Sequence, residues 1–170
     1  MAPDQHLERV IPDPGFAGDD GGADPALAAA LASYAAEPGR YVEALAVLQE
    51  GRVLVPVIAL LGEVEYDESG LAHDKTSDMA TVLITGRDGR KALLAFTSMT
   101  SLRAWNPEAR PVPVPVAQAA ASAIQDGADA LLVDVAGPTL LAVEGDDLRS
   151  LALGHRLREI EDGWGWTQTW

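Results

Sequence analysis

Two apolar runs joined by a tight turn constrain the fold of this chain most strongly. Residues 79–85 and 91–97 are largely apolar, and the segment between them contains Asp88-Gly89. An Asp-Gly pair between apolar runs is typical of a β-hairpin, because these residues accept the backbone conformations that such a turn requires. The sequence therefore predicts two antiparallel strands in this part of the chain.

The N-terminal half adds helices to these strands. Asp24-Pro25 is typical of a helix N-cap followed by proline at the first helical position. A second helix is expected from residue 40 to residue 50, so the two would form an N-terminal helical hairpin. Residues 52–61 are rich in Val, Leu and Ile and predict a buried strand, with Pro56 at a bulge or an edge because proline cannot donate to a ladder.

The C-terminal half has the same mixture. Residues 130–135 and 139–143 predict another hairpin, and residues 116–126 predict an Ala-rich helix. Asp146 is expected to cap a further short helix that ends at Gly154. Because strands occur both as hairpins and after helices, we expect an α+β fold. Its core would be a mixed sheet of about five to six strands packed with helices.

Composition limits the classes of function. Hydrophobic residues make up 48% of the 170 residues, so a core can be buried. The formal net charge is −14, which argues against a nucleic-acid or anionic-membrane surface, because such surfaces need clustered Lys and Arg. The chain has no Cys, and this excludes disulfides, thiolate metal sites and cysteine nucleophiles. No cofactor is expected.

Three regions differ in character. Residues 1–23 are rich in Pro, Gly and acidic residues and predict a flexible acidic arm, residues 24–154 predict the α+β domain, and residues 155–170 form a Trp-rich tail. The first part of the tail, residues 156–161, is charged and compatible with a helix. The N-terminus shows neither the basic nor the apolar region of a signal peptide, so a cytoplasmic location is expected.

Several segments together resemble the N-terminal domain of the SseB family of bacterial proteins. They are Val53-Leu54-Val55-Pro56-Val57, the stretch from Asp88-Gly89-Arg90 to Ala95-Phe96-Thr97-Ser98, Leu102-Arg103-Ala104-Trp105, and the later hairpin from Leu132 to Pro138. The resemblance covers residues 24–154. It implies an α+β fold and an intracellular bacterial protein, and it transfers no catalytic residue, because the family has no established enzymatic role.

An enzymatic function finds little support in the residue pattern. Ser98, His73 and Asp78 are the one Ser–His–carboxylate set that can be assembled, and Ser98 does not lie in a G-x-S-x-G turn. Thr97-Ser98 is better placed to cap a helix over residues 99–105. His6, His73 and His155 are isolated in sequence, so no metal site is predicted.

Aromatic residues supply the remaining candidates for binding. Phe96 and Trp105 flank the Thr97-Ser98 cap, and they are interpreted either as core or as the rim of a small groove with Thr97 and Ser98 as polar contacts. The second interpretation predicts a small-molecule sensor, with an amino acid as the ligand suggested by the serine-sensitivity phenotype behind the family name. A Ser98-dependent hydrolase is a weaker alternative.

The tail is the feature most suggestive of a partner. Trp164, Trp166 and Trp170 lie in its last seven residues, and they are expected either to dock on their own domain or to anchor a partner. Arg156 and Arg158 would then add polar contacts. A strip of alternating Pro and Val over residues 111–116 is a second candidate surface. The sequence therefore predicts a non-enzymatic binding or adaptor protein, with a protein partner or self-association and without nucleic-acid or membrane binding.

Overall fold

A computed structural model describes residues 16–60, 65–66, 72–73 and 78–168, and it does not describe the side chains of residues 58–60, 65–66, 72–73 and 78–80. The helices are α1 (Pro25–Ala36), a 3₁₀ turn (Pro38–Arg40), α2 (Tyr41–Leu48), α3 (Met99–Trp105), α4 (Val116–Gln125) and α5 (Gly145–Ala152). The strands are β1 (Arg52–Leu60), β2 (Glu65–Tyr66), β3 (Ala72–His73), β4 (Asp78–Thr81), β5 (Leu83–Thr85), β6 (Lys91–Ala95), β7 (Arg110–Pro115), β8 (Ala130–Val133), β9 (Leu141–Glu144), β10 (Arg156–Ile160) and β11 (Gly163–Thr167).

The α+β class is confirmed, and the strands are divided among several sheets. Within the described ranges, one sheet has the order β5-β6-β8-β9 and another β4-β1-β7, while β2-β3 and β10-β11 form two-stranded sheets. An isolated bridge between Leu54 and Phe96 joins the two larger sheets. A single sheet of five to six strands was predicted, whereas each sheet holds two to four strands.

The break between β4 and β5 explains much of this division. The sequence predicts one strand over residues 79–85, but β4 pairs with β1 and β5 pairs with β6. Val82 lies between them, and its carbonyl accepts a hydrogen bond from the Leu94 amide at 3.3 Å. The apolar run therefore serves two sheets in turn, which its periodicity alone does not reveal.

Strand alternation gives the domain two apolar layers. Val53, Val55 and Leu93 face a large core that helices α1, α2, α4 and α5 cover. Leu54 and Leu94 face the other side, where they pack in a smaller core that includes α3. Because successive side chains of a strand point to opposite faces, β1 and β6 contribute to both layers.

Several local predictions are confirmed. The Asp24 carboxylate caps α1 by accepting a hydrogen bond from the Leu27 amide at 2.9 Å. Strands β8 and β9 form the expected antiparallel hairpin. Pro56, expected at a bulge or an edge, lies instead in the central strand β1. It stands between the Leu54–Phe96 bridge and the start of the pairing with β4 at Val57, so no ladder hydrogen bond is needed from it on that side.

Two further local predictions are wrong. Glu144, not Asp146, is the N-cap residue of α5, and it makes no side-chain cap bond; Asp146 lies in the first helical turn and accepts a hydrogen bond from Arg149. Residues 156–161 do not form a helix, because β10 pairs with β11 and buries Leu157 against the large core. The pairing of β10 with β11 outweighs the local preference of this charged segment for a helix.

Candidate functional site

The C-terminal hairpin of β10 and β11 is held to the domain at its base. Leu157 is buried in the large core. Its amide donates to the Gln49 side-chain oxygen and its carbonyl accepts from the Gln49 side-chain nitrogen, both at 2.8 Å. Gln49 thus pairs with β10 as a neighbouring strand would, and the hairpin is fixed to the end of α2.

A single carboxylate makes the second attachment. Asp147 accepts a hydrogen bond from the Trp166 indole N–H at 3.0 Å through one oxygen and from the Tyr41 hydroxyl at 3.1 Å through the other. Burial, followed by the negative charge of Asp147, raises the pKa of the Tyr41 hydroxyl above its usual range. Trp166 therefore docks on its own domain. Its ring packs against the large core, and its indole N–H is hydrogen-bonded to Asp147.

Trp164 behaves differently, although it lies on the same strand face as Trp166. Strand periodicity places residues 164 and 166 on one side of β11, where they pair with Glu159 and Leu157. Trp164 remains 38% exposed. On the opposite face, Ile160 is 51% exposed and lies close to Gly165, where a Cβ would come within 3.0 Å of it. The outer end of the hairpin thus presents apolar side chains on both faces.

The remaining members of the predicted contact surface have separate positions. Arg156 is already engaged, with an ion pair to Glu50 at 3.2 Å and a hydrogen bond to the Gln49 carbonyl. Arg158 is exposed. Trp170 lies outside the described residues.

The Pro-Val strip forms β7, the outer strand of its sheet. Leu54 directs its N–H and carbonyl toward Phe96, so Val53 and Val55 direct theirs toward β7. The prolines of β7 (Pro111, Pro113 and Pro115) lie opposite Pro56, Leu54 and Arg52, the residues of β1 that alternate with Val53 and Val55. The proline nitrogens therefore face the outer edge of the sheet. The outer edge therefore offers no N–H at the proline positions, and the strip can contact a partner mainly through exposed side chains such as Val112.

Phe96 and Trp105 lie in the smaller core. Phe96 is fully buried, and the two ring centroids are 5.6 Å apart with a 31° angle between the ring planes. Trp105 is half-buried and packs against this core. Both rings are used in packing the sheet against α3.

Thr97 and Asp134 connect the ends of the parallel strands β6 and β8. The Asp134 carboxylate accepts hydrogen bonds from the Thr97 amide at 2.8 Å and from the Thr97 hydroxyl at 2.6 Å. Asp134 is buried and has a φ of +56°, which is unfavourable for a residue other than glycine. The paired hydrogen bonds offset that cost and fix the junction before α3.

Ser98 is the N-cap of α3, as predicted. Its hydroxyl accepts a hydrogen bond from the Ser101 amide at 3.1 Å, and the Ser101 side chain bonds back to the Ser98 amide at 3.3 Å, which completes a capping box. The side chains of His73 and Asp78, the other members of the possible Ser–His–carboxylate set, lie outside the described part of the structure.

A cleft of about 810 Å³ lies elsewhere, between the starts of α1 and β1 and the start of β10. Its lining includes Leu27, Val47, Thr97, Leu151 and His155. Of the four residues predicted for a small-molecule groove, Thr97 is the one that lines this cleft, and it is itself buried. Phe96, Ser98 and Trp105 do not line it. Its size is that of a small-molecule site.

Arg52 lies at the edge of the cleft and binds the segment before α1. Its guanidinium donates to both oxygens of Asp19 and to the Gly22 carbonyl, and it also donates to the Thr97 carbonyl. The hydrogen bonds from Arg52 lower the pKa of Asp19 to about 2. Residues 19–22, placed by the sequence in the acidic arm, thus lie against the domain, and residues 1–15 of that arm lie outside the described ranges.

Two other kinds of site are absent from the described part of the chain. No group of three or more His, Asp or Glu side chains there is arranged to hold a metal ion. No helix among the described residues is long and apolar enough to cross a membrane.

Comparison with known families accounts for the fold. The model of the SseB protein N-terminal domain matches residues 27–150. The chain belongs to the SseB family. The match ends within α5, so the C-terminal hairpin of this SseB-family protein lies beyond the matched range. No curated protein and no solved structure matches the chain.

Sequence reasoning missed the residues that hold the hairpin and the N-terminal segment in place. Gln49, Asp147, Asp134 and Arg52 each bond to a residue distant in sequence. Their polar side chains are common at helix ends and turns, so nothing in the local pattern separates them from ordinary surface residues. A spacing rule cannot find them, because their partners are brought near only by the fold.

Proposed function

We propose that this SseB-family protein is a non-enzymatic cytoplasmic binding protein that contacts a protein partner through its C-terminal hairpin. The observation that carries the proposal is the contrast along β11. Trp166 is anchored by Asp147, whereas Trp164 is 38% exposed on a hairpin whose base is fixed. A large amphipathic ring on a rigid support loses little conformational entropy on binding, and such rings are common interface anchors.

The contact surface extends over the outer end of the hairpin. Ile160 adds apolar area on the face opposite Trp164, and Arg158 adds an exposed guanidinium. In the described structure no further strand pairs with the outer backbone edge of β11, and the outer edge of β10 is occupied by the Gln49 side chain at Leu157. The Pro-Val strip is a secondary contact at most, because the prolines remove donors from its edge.

Point variants test this proposal better than removal of residues 155–170, because that deletion would also remove Leu157 from the large core. Immobilised full-length protein is compared with Trp164→Ala and with Leu153→Ala, an apolar residue that is 71% exposed outside the hairpin. Captured proteins are identified by mass spectrometry, and self-association is measured by sedimentation. We expect Trp164→Ala to weaken the contact by about 30-fold or more, the scale of an interface hot spot.

Leu153→Ala serves as the matched control and should bind as the wild type does. If Trp164→Ala captures the same proteins in the same amounts and self-associates equally, the hairpin is not the contact surface. Equal losses in both variants would also contradict the proposal, because they would reflect a general loss of apolar surface.

A second candidate function is small-molecule binding in the cleft, which its volume of about 810 Å³ and its mixed lining favour. An amino acid is the ligand class that the family name suggests. A thermal-shift screen tests it, since a ligand at 100 times its Kd adds about 2.7 kcal/mol to the free energy of unfolding. Absence of a shift with every amino acid would remove this ligand class.

A further inference from the structure

The segment over residues 16–24, here called the strap, forms one wall of the cleft. Its residues that line the cleft are Phe16, Asp20, Gly22, Ala23 and Asp24. The rest of the lining is contributed by helices and strands of the domain and by the turns between them. The shape of the cleft therefore depends on where the strap lies.

The strap is attached at two points. Arg52 binds both oxygens of Asp19 and the Gly22 carbonyl, with the Arg52 and Asp19 side chains only 14% and 17% exposed. Between these residues, Gly21 accepts a hydrogen bond through its carbonyl from the Met99 amide at 2.8 Å. The same guanidinium bonds the Thr97 carbonyl, so the strap is tied to the junction of β6 and α3.

Close packing marks the second attachment. Gly21 has a φ of +75°, and a Cβ at this position would lie 2.3 Å from the Met99 side chain. Only a residue without a side chain allows the strap to approach α3 this closely. Of the described residues 16–23, Gly21 is the one that is buried.

The strap thus differs from the elements around it. It is held by polar contacts and one glycine, whereas Leu27 and Leu31 anchor the following helix α1 in the large core. A segment with little buried apolar surface can open while the core stays folded. Leu27, Val47 and Leu151 of the cleft lining would then become more accessible.

We propose that residues 16–24 act as a strap that opens and closes the cleft as a local unit, with the Arg52–Asp19 pair as its latch. This proposal does not rest on the partner contact at the outer end of the C-terminal hairpin, although Gln49 and Arg156 at the base of that hairpin line the same cleft. Access to the cleft then depends on whether the strap is bound to Arg52.

The first test removes the latch in the full-length protein. Arg52→Gln is compared with Arg40→Gln, which removes an exposed arginine that pairs with Glu37. Hydrogen exchange is followed at the amides of residues 19–22 and Met99 and at core strands β6 and β8. We expect exchange at the strap and Met99 to accelerate about tenfold or more in Arg52→Gln, the scale expected for lost hydrogen bonds to a charged group.

The second test uses packing instead of charge. Gly21→Ala introduces the Cβ that collides with Met99, and Gly39→Ala is its control, because a Cβ there meets nothing within 4 Å. Nile red, a neutral apolar dye, reports access to the cleft. We expect its fluorescence to rise about twofold or more in Gly21→Ala and Arg52→Gln and to stay at the wild-type level in both controls.

Four results would overturn the proposal. Faster exchange in β6 and β8 together with the strap, or failure of both variants to fold, would show that the strap is an integral part of the fold. Unchanged exchange at residues 19–22 and Met99 in both variants would show that these contacts do not hold it. Faster exchange without a rise in Nile red fluorescence would show that the strap does not cover the cleft.

Discussion

The two aromatic regions of this protein look equivalent in sequence and differ in the structure. Phe96 and Trp105 pack against each other in the smaller core, with their ring planes tilted by 31°. Trp164 and Trp166 lie on the C-terminal hairpin, where the first ring is exposed and the second is anchored. The comparison teaches that aromatic content alone does not mark a binding surface. The proposed contact surface differs in having a ring left exposed on a support that is itself fixed.

The largest effect should come from the buried pair. Phe96→Ala leaves a cavity at a fully buried position, and we expect the free energy of unfolding to fall by about 3–5 kcal/mol. Urea denaturation followed by circular dichroism measures it. Phe96→Leu keeps most of the volume and should lose much less. A loss below about 1 kcal/mol for Phe96→Ala would place Phe96 outside the core.

The next effect tests whether the hairpin is part of the domain. Leu157→Ala removes a side chain from the large core, so we expect a loss of about 2–5 kcal/mol in a single unfolding transition. Ile160→Ala, at an exposed position of the same strand, is the control. If Leu157→Ala leaves the free energy of unfolding unchanged, the hairpin does not share the core and cannot be a rigid support.

A smaller effect is expected at the Asp147 anchor. Trp166→Phe keeps an aromatic ring and removes the indole N–H that donates to Asp147, so the loss should be about 1.5–3 kcal/mol. Combining this variant with Asp147→Asn should give less than the sum of the two single losses, because both act on the same hydrogen bond. Full additivity would show that the bond contributes nothing.

Tyr41 gives the anchor a pH dependence. Burial and then Asp147 raise the pKa of Tyr41 in the folded state, so the folded protein holds the phenol proton more tightly than the unfolded chain does. The stabilisation is complete below the unfolded pKa of about 10 and is lost as the pH rises above it. Tyr41→Phe should flatten this alkaline loss in unfolding curves measured from pH 8 to pH 11. An unchanged slope would mean that Tyr41 does not contribute to it.

Local chemistry predicted much of the fold. The Asp24 and Ser98 caps depend on residues within three positions, and both are confirmed. The hairpin of β10 and β11 was not predicted, because the local sequence of its charged first strand does not show what stabilises it. Leu157 of that strand pairs with Trp166 and is hydrogen-bonded to Gln49, more than a hundred residues away. Contacts between distant residues also decide which tryptophan is anchored. The sequence could name the tryptophans but could not separate their roles.

The central claim is that Trp164 is available for binding while Trp166 holds the hairpin. The most direct measurement takes Trp164→Ala and Trp166→Phe and determines both partner capture and the free energy of unfolding on the same preparations. We predict that Trp164→Ala stays folded, with a single unfolding transition, and loses most of the capture, because the exposed part of the Trp164 ring is what a partner contacts. Trp166→Phe should be destabilised and should keep the capture while it remains folded. Full capture by folded Trp164→Ala would contradict the claim.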